Sequence, residues 1–447
     1  MNGDGTVSRR TFAKTETLTR QELEAFQLRK VRRLIERNWE HNPFYRDLWK
    51  RAKVSPDDIQ TLEDFRRRIP PIEKRDCLED QTENPPVGRR LGVPETRLAQ
   101  IHLTSGTSGV GQEAWGLTQA DVELAGTLWL YQYHWMGLEP GNVAFFSMPV
   151  AFFANGLATE YASRKFGMVS LNLFGMDREL VFRLMERFQP HYVYGTMAMP
   201  AMGGAGNEKP GERLHRLKAL SGALMGVETI KKVVEAWGAP VYEMYGCTQA
   251  SSVVGATCEQ GAVVDDQAGM VHFLEGHFIV ECLNRETGEP AEPEEDCEIF
   301  LTTLDREASP AIRFRIHDKA TFLPHSACRC GRPYHGYRVG TVARWDDMMK
   351  IKGINIWPAM MDDILMTHPE VREYRGFFEI DRARARDVMR IVVDFKSDVA
   401  AERRPFLLES LAADVKAKTF VTPVVEEAPE PLAEFTFKPV RWSDTRK

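Results

Sequence analysis

The chain has 447 residues, of which 43% are apolar and 27% charged, with a formal net charge of −6. That length allows two or three domains with a large core, and the balance is ordinary for a water-soluble protein. The charge gives no electrostatic ground for a nucleic-acid or anionic-membrane partner, and no apolar run approaches the roughly 18 residues of a membrane span.

Residues 1–18 read as a loose polar tail. The stretch from Met1 to Arg20 lacks the apolar core of a secretory signal, so a cytoplasmic location is expected. Thr19-x-x-Glu22 has capping-box spacing and predicts a helix start. Leu28, Val31, Ile35 and Trp39 continue it at helical intervals, and Asn42-Pro43 ends it. Val54 to Asp58 opens a second short helical stretch. Residues 80–98, rich in proline, glycine and charge, read as a surface connection.

Ile101-His102-Leu103 enters a run from Thr104 to Gly111 that holds three glycines and four hydroxyl residues. Glycines let backbone amides approach a ligand closely, and successive N–H groups form an anion-binding nest to which hydroxyls add donors. It is not a Walker loop, because no Gly-Lys-Ser/Thr follows at the required spacing. By composition alone, a flexible Ser/Thr/Gly loop is the better reading.

Gln119–Met136 predicts a helix. Strands at Val143–Met148, His191–Tyr194, Ser221–Met225 and Val241–Met244 then alternate with helices at Arg178–Phe188 and Thr229–Trp237. The alternation predicts an α/β sheet with mixed or parallel strands, whose ligands bind at the carboxyl ends. From about residue 265 the texture changes. Phe278–Cys282 and Glu298–Thr303, with a turn at Arg285–Pro290, predict antiparallel strands. A smaller α/β unit follows Asp346, with a helix near Pro358–Thr367, a strand at Arg390–Phe395 and a helix at Ala401–Lys418. Glu426–Pro431 reads as a solvated loop. No internal repeat is found.

The seven cysteines are odd in number, which argues against a disulfide framework in a chain of this size. Cys328-Arg329-Cys330-Gly331 separates two thiols by one residue. That spacing suits a disulfide poorly, but two such thiolates can converge on one metal.

Five segments occur in one order: Thr104–Gly109; Met225-Gly226-Val227-Glu228; Tyr245-Gly246-Cys247-Thr248-Gln249; Ile312-Arg313-Phe314-Arg315-Ile316-His317-Asp318; and Ala343–Gly353. The ordered set resembles the adenylate-forming acyl-CoA synthetase superfamily. Asn42-Pro43-Phe44-Tyr45, Ser55–Asp58 and Ile354-Asn355-Ile356-Trp357-Pro358 are similar to the phenylacetate-CoA ligase family in particular.

The resemblance implies an α/β fold with a large N-terminal adenylate-forming domain of several sheets (1–343), a hinge (344–347) and a small mobile C-terminal α/β domain (348–447). It implies an acid-thiol ligase that makes an acyl-adenylate from a carboxylic acid and ATP, then an acyl-CoA. Ser105, Gly106, Thr107, Ser108 and Gly109 would cradle the β- and γ-phosphates. Gly226, Val227 and Glu228 would lie against adenine, largely through backbone, and Tyr245, followed by Gly246, would stack on it. Thr248 would contact the α-phosphate, and Asp318 would accept both ribose hydroxyls. Arg344 would hold the ribose or phosphate region. Asp346 would be the hinge, and Lys438 would enter the site for adenylation.

The chain also departs from the family pattern. Gln249 stands where the family has a glutamate that binds Mg²⁺. Gln112 lies near the usual loop lysine, and Gly111 replaces a proline. Ala343 replaces a glycine, and the glycine before Lys438 is absent.

Some relatives carry a structural zinc, and Cys258, His272, Cys328 and Cys330 match its ligands, with His277 as an alternate. Cys77, Cys282 and Cys297 read as core or surface thiols. The acid pocket would involve Tyr131, Trp135, Phe152, Phe153, Asn155 and Gly156, with Met225 and Met244 nearby. Asn155 or His134 could hydrogen-bond a substrate hydroxyl. The acid would be an aryl acid such as phenylacetate or benzoate, or a small branched or hydroxy acid such as 2-hydroxyisobutyrate. The implied partners are that acid, ATP with Mg²⁺, and coenzyme A; a homodimer is compatible with the relatives. The alternatives are an adenylating transferase with another acceptor, such as a carrier protein or a cofactor hydroxyl, and a nucleotide-binding pseudoenzyme.

Overall fold

In the computed structural model the described residues are 10–104, 111–147, 154–195, 210–222, 226–345, 348–351, 354–381, 386–433, 435 and 440–446. The helical N-terminal layer comprises α1 (Arg20–His41), α2 (Pro43–Arg51), α3 (Leu62–Arg68) and α4 (Lys74–Glu83). The α1 cap forms as expected: Thr19 accepts from the Glu22 N–H while the Glu22 carboxylate takes the Thr19 N–H at 2.8 Å. Asn42 ends α1 and caps α2, where Pro43 occupies a position with no helical N–H to lose. The second short helical stretch is a 3-10 turn, Pro56–Asp58.

Two segments read as a tail and as a surface connection are largely exposed, but each is anchored by a buried charge. Residues 10–18 dock through a 3-10 turn, Lys14–Thr17, and Glu16 within it is fully buried. A buried charge persists there because the N–H groups of Phe12 and Ala13 and the Arg332 guanidinium all meet the Glu16 carboxylate. In residues 80–98, Arg90 is 2% exposed. It donates to the Ala114 carbonyl at 3.0 Å and lies over the Trp115 ring. Beyond the end of α4 the stretch is the irregular connection that its proline and glycine suggest, with one buried cation fixing it.

Next come the hairpin β1 (Gln100–Leu103) and β2 (Ala114–Leu117), then α5 (Gln119–Trp135). The α/β region follows: β3 (Val143–Phe146), α6 (Ala154–Phe166), β4 (Val169–Asn172), α7 (Arg178–Phe188), β5 (Tyr192–Tyr194), β6 (Ala219–Gly222), α8 (Val227–Trp237) and β7 (Val241–Cys247). Their strands are parallel in the order β4-β3-β5-β6-β7. β6 lies two residues ahead of the predicted start, because all four of its residues are buried between β5 and β7. α8 ends at Gly238, whose φ of 66° gives the left-handed closure.

At β8 (Ser252–Thr257) the direction reverses, since β8 runs antiparallel to β7. The small hairpin β9 (Val263–Val264) and β10 (Gln267–Ala268) leads to β11 (Met270–Phe273), β12 (Phe278–Leu283), β13 (Asp296–Thr303), β14 (Phe314–Leu323), β15 (Gly336–Arg338) and β16 (Ala343–Arg344). The predicted antiparallel pair is β12–β13, in register from Phe278↔Thr303 to Leu283↔Glu298. The whole sheet runs β12-β13-β14-β15-β11-β8-β7-β6-β5-β3-β4, with β16 on β14.

The C-terminal elements are β17 (Met349–Ile351), β18 (Ile354–Ile356), α9 (Pro358–Leu365), β19 (Val371–Asp381), β20 (Arg386–Phe395), α10 (Arg404–Thr419), β21 (Val424–Glu427) and β22 (Trp442–Asp444). They build the sheet β21-β20-β19-β22 over a core of their own, including Ile391, Val393, Leu411 and Trp442. Sequence reading missed β19. Its alternation is interrupted by Gly376, whose open side the Trp442 ring fills. Part of the expected solvated loop is the edge strand β21, where Arg390 meets the Glu426 charge at 2.8 Å.

α9 packs on α8. Lys232 of α8 donates to the Thr367 carbonyl. Asp363 of α9 fills the space beside Gly226, where a Cβ would overlap its carboxylate.

Candidate active site

The carboxyl end of β7 and the neighbouring strands β14 and β16 define the candidate site. Three residues singled out from sequence converge there: Tyr245 on β7, Asp318 on β14 and Arg344 on β16. The Tyr245 hydroxyl donates to Asp318 Oδ2 at 2.7 Å. Pairing of β14 with β16 sets Asp318 opposite Arg344, whose Nε lies 3.4 Å from Asp318 Oδ1. Burial, then the Asp318 charge, holds the Tyr245 phenol well above its ordinary range, so it remains a donor.

The backbone at Asp318 is shaped by strain. β13 and β14 slip register between Glu298 and Phe300, and His317 takes a φ of 64°. Such a bulge re-aims the following side chain. The His317 ring is pinned between Glu73 and Glu298, each at 3.2 Å. Burial would raise the Glu298 carboxyl, but hydrogen bonds from His317 and Arg315 pull it down to about 2. Arg313, with a φ of 47°, anchors the start of β14 through two 2.9 Å bonds to the buried Glu281 carboxylate.

Gly226 is the N-cap of α8, with Val227 and Glu228 in its first turn. The Glu228 side chain is exposed and pairs with Lys231 at 3.0 Å. That leaves the backbone as the part of this segment able to face a base. At the end of β7, a register shift falls between Tyr245 and Gly246. The Ser251 N–H then closes onto the Thr248 carbonyl at 2.9 Å, so Thr248 and Gln249 sit on a tight turn.

Gln249 reveals a residue that sequence reading missed. Its Nε2 donates to both carboxylate oxygens of Glu113, at 3.1 and 3.4 Å. Glu113 closes the base of the glycine loop: its carbonyl accepts from the Thr104 N–H at 3.1 Å, and its own N–H donates to Thr104 Oγ1 at 2.9 Å. Burial raises its carboxyl above the usual range, opposed by the Gln249 hydrogen bond and the charges of Lys74, Arg90 and Arg344. Glu113 lies one residue beyond Gln112, and nothing in local composition separates it from an ordinary hairpin glutamate. Ser105, Gly106, Thr107, Ser108, Gly109, Met225, Asp346 and Lys438 lie outside the described residues.

The residues expected to line the acid pocket are described only in part. A hollow of about 200 Å³ is lined by Phe146, Gly156, Thr159, Glu160, Ser170 and Asn172. Gly156 is the expected residue found there. Phe152 and Phe153 lie outside the described residues, as does the Asn155 side chain. Tyr131 and Trp135 are placed elsewhere, on another face of α5. Tyr131 bonds His277 at 3.1 Å, and the Trp135 indole donates to Glu16 at 3.1 Å under the Arg332 guanidinium. They serve the packing of residues 10–18. His134 stacks on Phe12 in the same packing, and Met244 is core, 3.9 Å from the Tyr194 hydroxyl.

Cys258, His272, Cys328 and Cys330 come together, their donor atoms all within 4.8 Å of one another. Cys258 and Cys328 sulfurs are 3.8 Å apart, and Cys330 Sγ is 3.5 Å from His272 Nε2. Bonds of about 2.3 Å to sulfur and 2.0 Å to nitrogen, at tetrahedral angles, give about 3.8 and 3.5 Å for such pairs. His272 Nδ1 lies 3.3 Å from the Tyr334 carbonyl, which fixes Nε2 as the inward nitrogen. The four can hold a tetrahedral metal ion. His277 is not among them: its Nδ1 is 2.7 Å from Asp305. Cys77, Cys282 and Cys297 are all buried.

Among the described residues, no helix is long and apolar enough to cross a membrane. The family model for AMP-binding enzymes matches residues 48–303. A phenylacetate-coenzyme A ligase of Thermus thermophilus is 31% identical over 361 residues, covering 80% of this chain and 78% of the relative. The fold is that of a 2-hydroxyisobutyryl-CoA ligase in the postadenylation state in complex with R3-HIB-AMP, at a TM-score of 0.87 and 24% identity, covering 99% of this chain and 94% of the other. Against the same ligase with 2-HIB-AMP and CoA in the thioesterification state the TM-score is 0.70 at 22% identity, covering 100% of this chain and 95% of that one.

Proposed function

The chain belongs to the AMP-binding enzyme family and, within it, to the phenylacetate-CoA ligases, and we propose that it joins a small carboxylic acid to coenzyme A at the expense of ATP. The acid carboxylate attacks the α-phosphorus, the bond to pyrophosphate breaks, and an acyl-adenylate forms. The coenzyme A sulfur then attacks the acyl carbon, and AMP leaves with its bonding pair. The first acid to test is an aryl acid of the phenylacetate type, after the curated relatives. The hydroxyl and amide groups of Thr159, Ser170 and Asn172 in the hollow favour a small hydroxy acid as the second.

The observation that carries this reading is the joined Tyr245–Asp318–Arg344 set. A buried carboxylate fixed on one side by a phenol and faced by a guanidinium is built to take ribose hydroxyls. The glycine loop would receive the β- and γ-phosphates, and Thr248 the α-phosphate. Lys438 would neutralise charge developing on the transferred phosphoryl group. The two TM-scores against one ligase in two states support a C-terminal unit that turns about Asp346 between half-reactions.

The cation that accompanies ATP prefers hard oxygen donors and few protein ligands, which fits the amide oxygen of Gln249 with the Glu113 carboxylate behind it. Zinc is the metal best suited to three thiolates and one imidazole in a closed shell. Its role would be structural, holding the Cys328–Cys330 loop to the end of β8.

The test is a panel of acids with ATP and coenzyme A, following AMP, pyrophosphate and thioester. Acyl-CoA from at least one acid is expected. Acyl-AMP without thioester formation would move the protein to a transferase with another acceptor. No ATP consumption with any acid would leave a nucleotide-binding protein without this activity.

A further inference from the structure

Glu113 presents a problem that the ATP reading sharpens. Its side chain is 1% exposed, at the base of a loop that would receive a polyphosphate. A buried carboxylate there repels the ligand unless positive charge stands between them. The charged groups nearby are Lys74, Arg90, which is engaged with the Ala114 carbonyl and the Trp115 ring, and Arg344, which is engaged with Asp318. The direct donor to Glu113 is a neutral amide, that of Gln249.

The chemistry of that contact fixes an orientation. An ionised carboxylate only accepts, so the Gln249 Nε2 must face Glu113 and its Oε1 must face away. Donation to a charged acceptor polarises the amide and makes Oε1 a better ligand for a hard cation. A carboxylate one hydrogen bond behind a metal's ligand supplies both orientation and charge.

Resting on the ATP reading above, we propose that Glu113 is the positioning residue for the divalent cation that enters with ATP. Its carboxylate holds the Gln249 amide with Oε1 toward the cation and supplies the negative charge that the amide lacks. The carboxylate and the cation's contact atom are thus divided between two side chains, one just before β2 and one from the turn after β7.

The experiment titrates Mn²⁺ into the protein with ATP and no acid, reading bound metal by electron paramagnetic resonance. E113Q keeps the length of the side chain and a hydrogen bond to Gln249. It should weaken Mn²⁺ binding to the protein–ATP complex by about 10- to 100-fold, with ATP binding in chelator unchanged or tighter. The exchange variant E113Q/Q249E carries one carboxylate and one amide in the opposite order. It should recover Mn²⁺ affinity to within a few-fold of the native chain. Native-like Mn²⁺ binding by E113Q would overturn the proposal, as would an exchange variant no better than E113Q. A native chain that binds no ATP, with or without metal, would instead overturn the nucleotide reading itself.

Discussion

Asp318→Asn is the most direct probe of the nucleotide site. The substitution keeps the shape of a side chain that is 6% exposed and leaves Tyr245 an oxygen to which it can donate. It removes the charge opposite Arg344 and replaces one acceptor by a donor. Hydrogen bonds to a charged acceptor contribute about 1.5–3 kcal/mol each, roughly twice a neutral one. With two ribose hydroxyls on one carboxylate, the change should remove about 2–3 kcal/mol of ATP binding, or roughly 30- to 150-fold in Kd. The assay compares ATP with 2′-deoxy-ATP by direct titration and by acid-dependent pyrophosphate exchange. The native chain should prefer ATP, and the variant should lose much of that preference. If Asp318→Asn weakens both nucleotides by one common factor, or neither, Asp318 does not hold the ribose.

The Arg313–Glu281 pair is buried on both sides, and Arg313 also donates to the Ile69 carbonyl at 2.6 Å. Glu281→Ala should therefore lower the apparent unfolding free energy in urea by about 3–5 kcal/mol, because a buried guanidinium loses its counter-charge; a change under about 1 kcal/mol would refute this. Protein purified without chelator should contain one zinc per chain, and Cys328→Ser should lose it together with several degrees of melting temperature. Metal-free native protein with an unchanged melting curve would remove the cluster from the account. Burial lowers His102 and His335 from the ordinary 6.5 to about 4. Between those values the unfolded chain binds more protons than the folded one, so stability falls as pH drops from 6.5 towards 4. Replacing both with glutamine should flatten the melting temperature across that window, and an unaltered slope would contradict the assignment.

Much of the fold could be read from the sequence wherever local chemistry and tertiary structure agree. Thr19 and Glu22 cap a helix by themselves, and α7 runs from Arg178 to Phe188 as its apolar spacing predicts. Four of the five parallel strands are short apolar runs between polar ones, so their existence was readable and their ends were not; β4, with no fully buried residue, was missed. That Tyr245, Asp318 and Arg344 come together, and Cys258, His272, Cys328 and Cys330 likewise, was legible because order along the chain carries them. Tyr131 and Trp135 were misread for the opposite reason. They lie on a helix apolar on several faces, where periodicity cannot say which side meets a ligand and which meets residues 10–18. Glu113 had no sequence signal at all: its meaning comes from Gln249, which lies 136 residues away. β19 was hidden because Gly376 has no side chain of its own, and its packing comes from Trp442.

The Glu16–Arg332 contact sets an order of events during synthesis. The two residues are 316 positions apart and fully buried against each other, with Glu259 on the far side of the guanidinium. At about 5–20 residues per second, the ribosome needs roughly 15–60 seconds to deliver Arg332 after Glu16. For that interval the segment around Glu16 carries a carboxylate without its counter-ion. The Trp135 indole and the turn amides are its available partners until the Cys328–Cys330 loop emerges. Residues 10–17 can therefore settle fully only after Arg332 has emerged.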